Sequence, residues 1–484
     1  MAVTSSPTSN SKEVIRQLHG IENTLAVLHE NGTFTIVFTS WIKTKLLLTT
    51  DQWGQCMERL LEDIPHLRMT IAWQDGQRHF KYVDDPRADF EVLDATSCDE
   101  WKTVHEHMTL VTFYDADKPL WRVKILRMPK GSTGAEQDEC TLSGDTWFTS
   151  VVIFALHHSI IDGKSDFLLL GRLLRILNAV ISDAPARDGG DAVMLLPPLE
   201  NLLPKNKMTF TWFDYFQVAK MKYKGWFPNK SLFTKRFPKM SAPGESCTKT
   251  VVVEFSIPET ERIIAQCKDR GVTVHGVLVA AASVAIAKLI NEGRPPKVVN
   301  IASVHAVNMR RFLSPELSTA FGSLSHSLSI SLRTPTAVSF DAFWDLAKES
   351  TGLIHAQLDN GDVVQSLKVC NYVYGIEKKK RPLSPPECTV EFCTSNIGDC
   401  DKLCPPGREE ARAHATSVIT SDSLHNCNIP FCHFLHKFRG RFCYNLDYAT
   451  NRATDLHAQR YAELTVELMK MAAGEEETSK DELR

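Results

Sequence analysis

The stretch Ala155-Leu156-His157-His158-Ser159-Ile160-Ile161-Asp162-Gly163 sets two histidines, an aspartate and a glycine at fixed spacing. On its N-terminal side, 147–156 (WFTSVVIFAL) is the apolar, β-branched run that a buried strand needs. On its C-terminal side, 164–181 (KSDFLLLGRLLRILNAVI) turns helical. Phe167, Leu170, Leu174 and Ile176 or Leu177 line one side, and Arg172, Arg175 and Asn178 lie off it. The histidines therefore stand at the carboxyl end of a strand, where a rigid scaffold presents an imidazole to a cleft. Histidine is the side chain best suited to take a proton near neutral pH. Core or capping histidines are the ordinary reading of such a pair; the strand before and the helix after set that reading aside.

Working outward, the first half alternates strands and helices. Residues 33–41 (TFTIVFTSW) predict a strand. Thr50 then caps a helix with Trp53, Cys56, Met57, Leu60, Leu61 and Ile64 on one face, ending before Pro65. Strands are expected at 68–73 and 120–126, and 130–145 is a polar surface loop. From 183 to 206 periodicity is lost, as in an interdomain linker. The stretch 205–240 then interleaves lysine and arginine with aromatics from Phe210 to Phe237, and Asp214 is its only acid. It could be a surface for a membrane interface or a phosphate-bearing acyl donor. The preferred reading is a crossover helix whose aromatics pack on the body while its lysines stay solvated.

The second half predicts strands at 249–257, 297–307, 389–395 and 441–449, and helices at 272–290, from Ser339, and at 456–472. Thr273 caps the first of these helices. The two halves share a β/α rhythm that suits two similar α/β (α+β) lobes. The expected division is an unstructured N-terminus at 1–15, a first lobe at 16–185 and a linker or crossover at 186–245. A second lobe at 246–474 and a solvated tail at 475–484 complete it.

At 484 residues, with 43% hydrophobic and 23% charged residues, the chain can bury more than one core. A net charge of −3 gives no reason to expect a nucleic-acid partner. Thirteen cysteines without a small-scaffold framework, and no signal-peptide pattern at the start, imply reduced thiols and a cytoplasmic protein. The closest approach to a membrane span, 272–290, carries His275, Ser283 and Lys288 and reads as a buried helix. Cys388, Cys393, Cys400 and Cys404 lack paired CxxC knuckles, so no metal is expected there.

The tract 157–163 resembles the HHxxxDG signature of the acyltransferase superfamily that includes chloramphenicol acetyltransferase, plant BAHD enzymes, peptide-synthetase condensation domains and fungal alcohol acetyltransferases. The resemblance implies two chloramphenicol-acetyltransferase-like lobes, each a mixed sheet packed with helices, with a channel between them. It makes His158 the general base and His157 a positioning residue. Asp162 becomes a structural acid paired with an arginine of the other lobe, and Gly163 keeps the backbone clear beside the donor channel. Weaker landmarks occur in the same order: 64–68 (IPHLR), 119–122 (PLWR), 273–277 (TVHGV) and 306–311 (AVNMRR). The last makes Arg310 the first choice to pair with Asp162, and Arg311 the second.

Residues 394–398 (TSNIG) are similar to the SNxG segment of the alcohol acetyltransferase branch and stand where plant members have TSW. That position makes Thr394 and Asn396 candidates to hold an oxyanion, with Ser395 and Gly398 along the channel. The DFGWG of the plant branch is absent, its region holding only 399–402 (DCDK), so the plant enzymes are the poorer match.

The implied activity is transfer of an acyl group, acetyl first, from acyl-CoA as co-substrate to a small alcohol. No bound cofactor and no acyl-enzyme are required, and monomer is the default state. An amine acceptor, a carrier-bound donor, a thioester hydrolase, or a retired binding protein on the same fold are the alternatives.

Overall fold

The computed structural model describes residues 14–129, 147–184, 193–226, 229–238, 246–376, 387–406 and 411–474. The expectations placed on 1–11, 130–145 and 475–484 fall outside these residues. The first lobe runs β1 (Val14–Gln17), α1 (Gly20–His29), β2 (Thr35–Thr44), α2 (Thr50–Asp63), β3 (Met69–Gln74), β4 (Gln77–Tyr82), β5 (Phe90–Asp94), α3 (Glu100–Met108), β6 (Trp121–Arg127), β7 (Phe148–His157) and α4 (Gly163–Ile181). The crossover holds α5 (Leu199–Leu202), α6 (Lys205–Met208), α7 (Trp212–Trp226) and α8 (Leu232–Arg236). The second lobe runs β8 (Thr248–Glu254), α9 (Ile257–Asp269), α10 (Val274–Asn291), β9 (Val298–Asn308), β10 (Ser325–Pro335), α11 (Phe340–Asp359), α12 (Asp362–Ile376) and β11 (Phe392–Asp399). It ends with β12 (Ala413–Asp422), β13 (Phe431–Phe438), β14 (Arg441–Ala449) and α13 (Asp455–Ala472).

Three sheets result. A five-stranded sheet has the order β12-β2-β7-β6-β5, a six-stranded sheet the order β10-β9-β11-β13-β14-β8, and a small one the order β1-β4-β3. Strand β7 is central and pairs antiparallel with both β2 and β6, which is why its sequence is apolar on both faces. One face, through Phe154 and Leu156, meets Phe167, Leu170 and Leu173 of α4. The other, through Val151, Ile153 and Ala155, meets Trp101 and Met108 of α3.

Two expected boundaries fail. Strand β1 begins at Val14, inside the stretch read as unstructured, because it pairs with β4. Strand β12 lies in the second half of the sequence yet joins the first sheet, from Ala413 opposite Thr44 to Asp422 opposite Ile36. It covers the edge that β2 would otherwise expose, and a chain cut at one linker would leave that edge unpaired.

Caps set the finer corrections. The N-cap of α2 is Thr49, not Thr50, because Thr49 and Gln52 close a reciprocal capping box. Ile257, read as the end of a strand, opens α9 behind a Ser256/Glu259 box. Strand β11 starts at Phe392 rather than Thr389 and runs past Ser395 to Asp399. Thr273 caps α10 through the Gly276 N–H. Helix α10 is long and apolar enough to cross a membrane, and most of it is buried in the second lobe. The described part of the linker is anchored: Leu199 and Leu203 are buried, and Glu200 accepts from the Ile21 N–H (3.1 Å) and the Asn371 amide (2.7 Å). Against expectation the aromatics of α7 are exposed, although Tyr215 still meets the Tyr372 ring of α12.

Candidate active site

His157 ends β7, and a short turn carries the chain toward α4. The His157 ring is buried against His29, with centroids 4.2 Å apart. Its Nδ1 accepts from the Ser159 N–H at 3.0 Å and lies 2.8 Å from the Ser159 hydroxyl. Burial, then the neighbouring His29 and His158, push its pKa well below the ordinary value, so the ring is neutral and shapes the turn. His29 is itself pushed down to about 3 by burial.

His158, next along, is only partly buried. Its Nδ1 lies 2.9 Å from the carbonyl of Ile161. A carbonyl can only accept, so this contact assigns the proton to Nδ1 and leaves the lone pair on Nε2. The Phe34 ring stands 6.3 Å from the imidazole, centroid to centroid. Phe34 holds φ at 60° while its N–H donates to the carbonyl of Ser423, which ties the loop after β12 to this end of the sheet.

Asp162 is the N-cap of α4 and the centre of the contact between lobes. Its Oδ1 accepts from the Ser165 N–H (3.0 Å) and an Arg310 guanidinium nitrogen (3.1 Å). Its Oδ2 accepts from the other guanidinium nitrogen (2.7 Å) and the Leu324 N–H (3.0 Å). Arg310 lies in a 3-10 turn after β9 and also donates to the carbonyl of Ala320 and the hydroxyl of Ser165. Arg311, the second choice, is exposed. Burial alone would raise the Asp162 carboxyl; the Arg310 charge and these hydrogen bonds outweigh it and hold the pKa below the usual range. Both charges are buried and well bonded, so the pair fixes geometry more than it adds net stability.

Strand β11 carries Thr394, Ser395, Asn396 and Gly398. Side chains alternate faces along a strand. Thr394 is fully buried, its hydroxyl 2.7 Å from Nδ1 of His305 and 3.5 Å from Nε2 of His275 on α10. It therefore points into the helix-covered side of the six-stranded sheet, away from α4. Asn396 accepts the Gly398 N–H at 3.0 Å, a local turn at the bulge where Gly398 takes φ 86°. The opposite parity faces the first lobe. Cys393 packs with Leu424, Cys432 and Phe434, and Ile397 reaches α4. A Cβ placed on Gly163 would stand 3.0 Å from Cδ1 of Ile397. Gly163 thus admits the second lobe to the start of α4. Ser395 lies between Cys393 and Ile397 on that same face.

Two acids of this region are missing from the residues singled out by sequence. Asp422 ends β12 opposite Ile36, which in turn pairs with Leu156, so its side chain shares their face. Burial raises its pKa and the nearby His158 opposes the rise. Asp166 is wholly buried on α4, without a hydrogen-bond partner for either carboxyl oxygen among the described residues. Burial, then Asp162 and Asp422, push its pKa well above the ordinary value. An acid one turn after Asp162 in an apolar helix is a readable signal; the link from Asp422 to His158 is not, because it needs the β12 crossover. Among the described residues no group of three or more His, Cys, Asp or Glu side chains converges as a metal site, and Cys388, Cys393, Cys400 and Cys404 are free thiols.

Residues 245–423 match the family model described as phthiocerol/phthiodiolone dimycocerosyl transferase C-terminus. No curated protein matches the chain by sequence. Solved structures align over nearly its whole length. A trichothecene 15-O-acetyltransferase from Fusarium sporotrichioides has a TM-score of 0.68 at 16% identity, covering 94% of both chains. Polyketide synthase associated protein 5 from Mycobacterium tuberculosis has 0.62 at 15%, covering 96% of this chain and 99% of that one. The condensation domain of a monacolin K polyketide synthase has 0.62 at 11%, covering 96% and 99%. The chain shares the two-lobed fold of these acyltransferase and condensation-domain structures.

Proposed function

We propose that the chain is an acyltransferase that moves an acyl group from an acyl-CoA thioester to an alcohol hydroxyl. The observation that carries this reading is the state of His158: Nδ1 held by the Ile161 carbonyl, Nε2 bearing the lone pair, at the seam that Asp162 and Arg310 close. In the proposed step Nε2 takes the hydroxyl proton as the alcohol oxygen attacks the thioester carbonyl. The tetrahedral intermediate collapses, the C–S bond breaks, and the proton returns from Nε2 to the departing thiolate. General-base help of this kind is worth about 10²–10⁴-fold.

Ser395 is the proposed oxyanion donor in place of Thr394, since the Thr394 hydroxyl is engaged with His305 on the other face. Asp162 and Arg310 act by holding the lobes, without touching substrate. The buried thiols need no role. The acetyl transfer named for the Fusarium relative makes acetyl-CoA the first donor to try.

The test is free-thiol release from acetyl-CoA and longer acyl-CoAs, with and without panels of alcohols and amines. Release that depends on an alcohol supports the reading. Release that depends only on an amine, or that proceeds with no acceptor, overturns the alcohol assignment in favour of amide formation or hydrolysis. CoA binding without release under any acceptor would overturn free acyl-CoA as the donor.

A further inference from the structure

Helix α7 carries its aromatic stripe on the outside. Trp212, Phe216, Tyr223 and Trp226 are 90%, 62%, 62% and 76% exposed. With the exposed Ala219 they succeed one another at intervals of four, three, four and three residues. That spacing places them in a single row along the helix. The opposite side faces the body: Asp214 and Val218 are buried, and Gln217 and Met221 partly so.

The orientation is locked by polar contacts. Asp214 closes a reciprocal cap with Thr211, accepting its N–H at 2.7 Å and its hydroxyl at 2.8 Å. The same carboxylate pairs with Lys368 of α12 at 2.8 Å, and Lys368 also donates to the carbonyl of Thr209. Turning the aromatics inward would pull Asp214 out of that pair and leave Lys368 without its acid. The chain therefore holds an apolar row in contact with water, which soluble proteins seldom do without a partner for it.

The charges decide what the partner is. Lys220 and Lys222 are exposed and stand about 80° to either side of the row by helical geometry. Lys205 and Lys207 are exposed just before it. The only acid of the segment, Asp214, is already used on the inner face. A second copy of this helix would set lysines against lysines with no carboxylate from either side. Tryptophan and tyrosine rings flanked by lysines instead match a bilayer interface with anionic headgroups, where rings sit among the acyl carbonyls and ammonium groups reach the phosphates. We propose that the outer face of α7 is a docking surface for an anionic lipid membrane. None of its residues belongs to the site at His158, so the surface and the catalytic reading stand or fall separately.

The experiment is co-sedimentation of the full chain with vesicles of phosphatidylcholine alone or mixed with phosphatidylserine. The wild type is expected to sediment with the mixed vesicles and to bind them at least about tenfold better than phosphatidylcholine alone. Replacing Trp212, Phe216, Tyr223 and Trp226 together by alanine should abolish binding to both. The pair Lys220→Glu and Lys222→Glu should remove the phosphatidylserine preference. The unfolding midpoint of each variant shows that the fold is kept. Wild type that stays in the supernatant with mixed vesicles at low salt overturns the proposal, as does an alanine variant that binds as well as wild type. A concentration-dependent dimer abolished by the alanine variant also overturns it, assigning the row to a second copy.

Discussion

Helices α4 and α7 begin with the same device and end with opposite faces in water. Each has a buried aspartate at its start that accepts at least one backbone N–H and pairs with a cation from the second half of the chain. In α4 it is Asp162 with Arg310, and in α7 it is Asp214 with Lys368. In α4 the acid joins two lobes, and Phe167, Leu170, Leu173 and Leu177 are buried. In α7 the acid binds the helix down by its polar side, and the aromatics face out. Periodicity states that a helix has an apolar stripe; it does not state which way the stripe faces. The buried charge decides that.

The largest effect expected is at Asp162. Asp162→Ala strands Arg310 in the interior and removes the cap of α4, and should cost about 3–5 kcal/mol in equilibrium unfolding. A loss below about 1 kcal/mol would mean the pair is replaceable and the comparison with Asp214 has no force.

Aromatic substitutions separate the two helices more sharply. Phe167→Ala, which removes a ring packed against Phe38, His436 and Phe438, should cost about 3–5 kcal/mol. Phe216→Ala on α7 should change stability by less than about 0.5 kcal/mol. Equal costs would show that α7 is packed in solution and that its row is not free for a partner.

What can be read from the sequence depends on the range of the interaction. The strand β7, the helix α4 and the cap at Asp162 come from residues adjacent in the chain. The Arg310 partner comes from a resemblance at 306–311, and the structure pairs it with Asp162. Strand β14 is readable to the residue because Phe442, Tyr444, Leu446 and Tyr448 alternate with polar partners in the sequence, although the strand is buried on both faces rather than half-buried as that pattern suggests. Strand β11 is not. Local sequence places its start three residues early, and the choice of Thr394 and Asn396 over Ser395 turns on a one-residue parity that only the neighbouring strands fix. Asp422 is invisible for a different reason: β12 crosses into the other lobe, and no local pattern announces a crossover. On α7 the stripe is plain in the sequence, but its direction is set by Lys368, far along the chain.

Two further substitutions test the parity of β11. Thr394→Ala should cost about 1–3 kcal/mol by leaving His305 short of a hydrogen bond, with the rate of acyl transfer kept. Ser395→Ala should leave stability almost unchanged and lower kcat by about a hundredfold, the range for losing one oxyanion donor. The reverse pattern would put Thr394 back at the reacting carbonyl.

The decisive measurement is alcohol-dependent CoA release by His158→Ala, with the unfolding midpoint tracked in the same preparation. If His158 is the base, the rate falls by at least about a hundredfold while the midpoint stays unchanged. A rate within about twofold of wild type, on a folded protein, would remove His158 from that role.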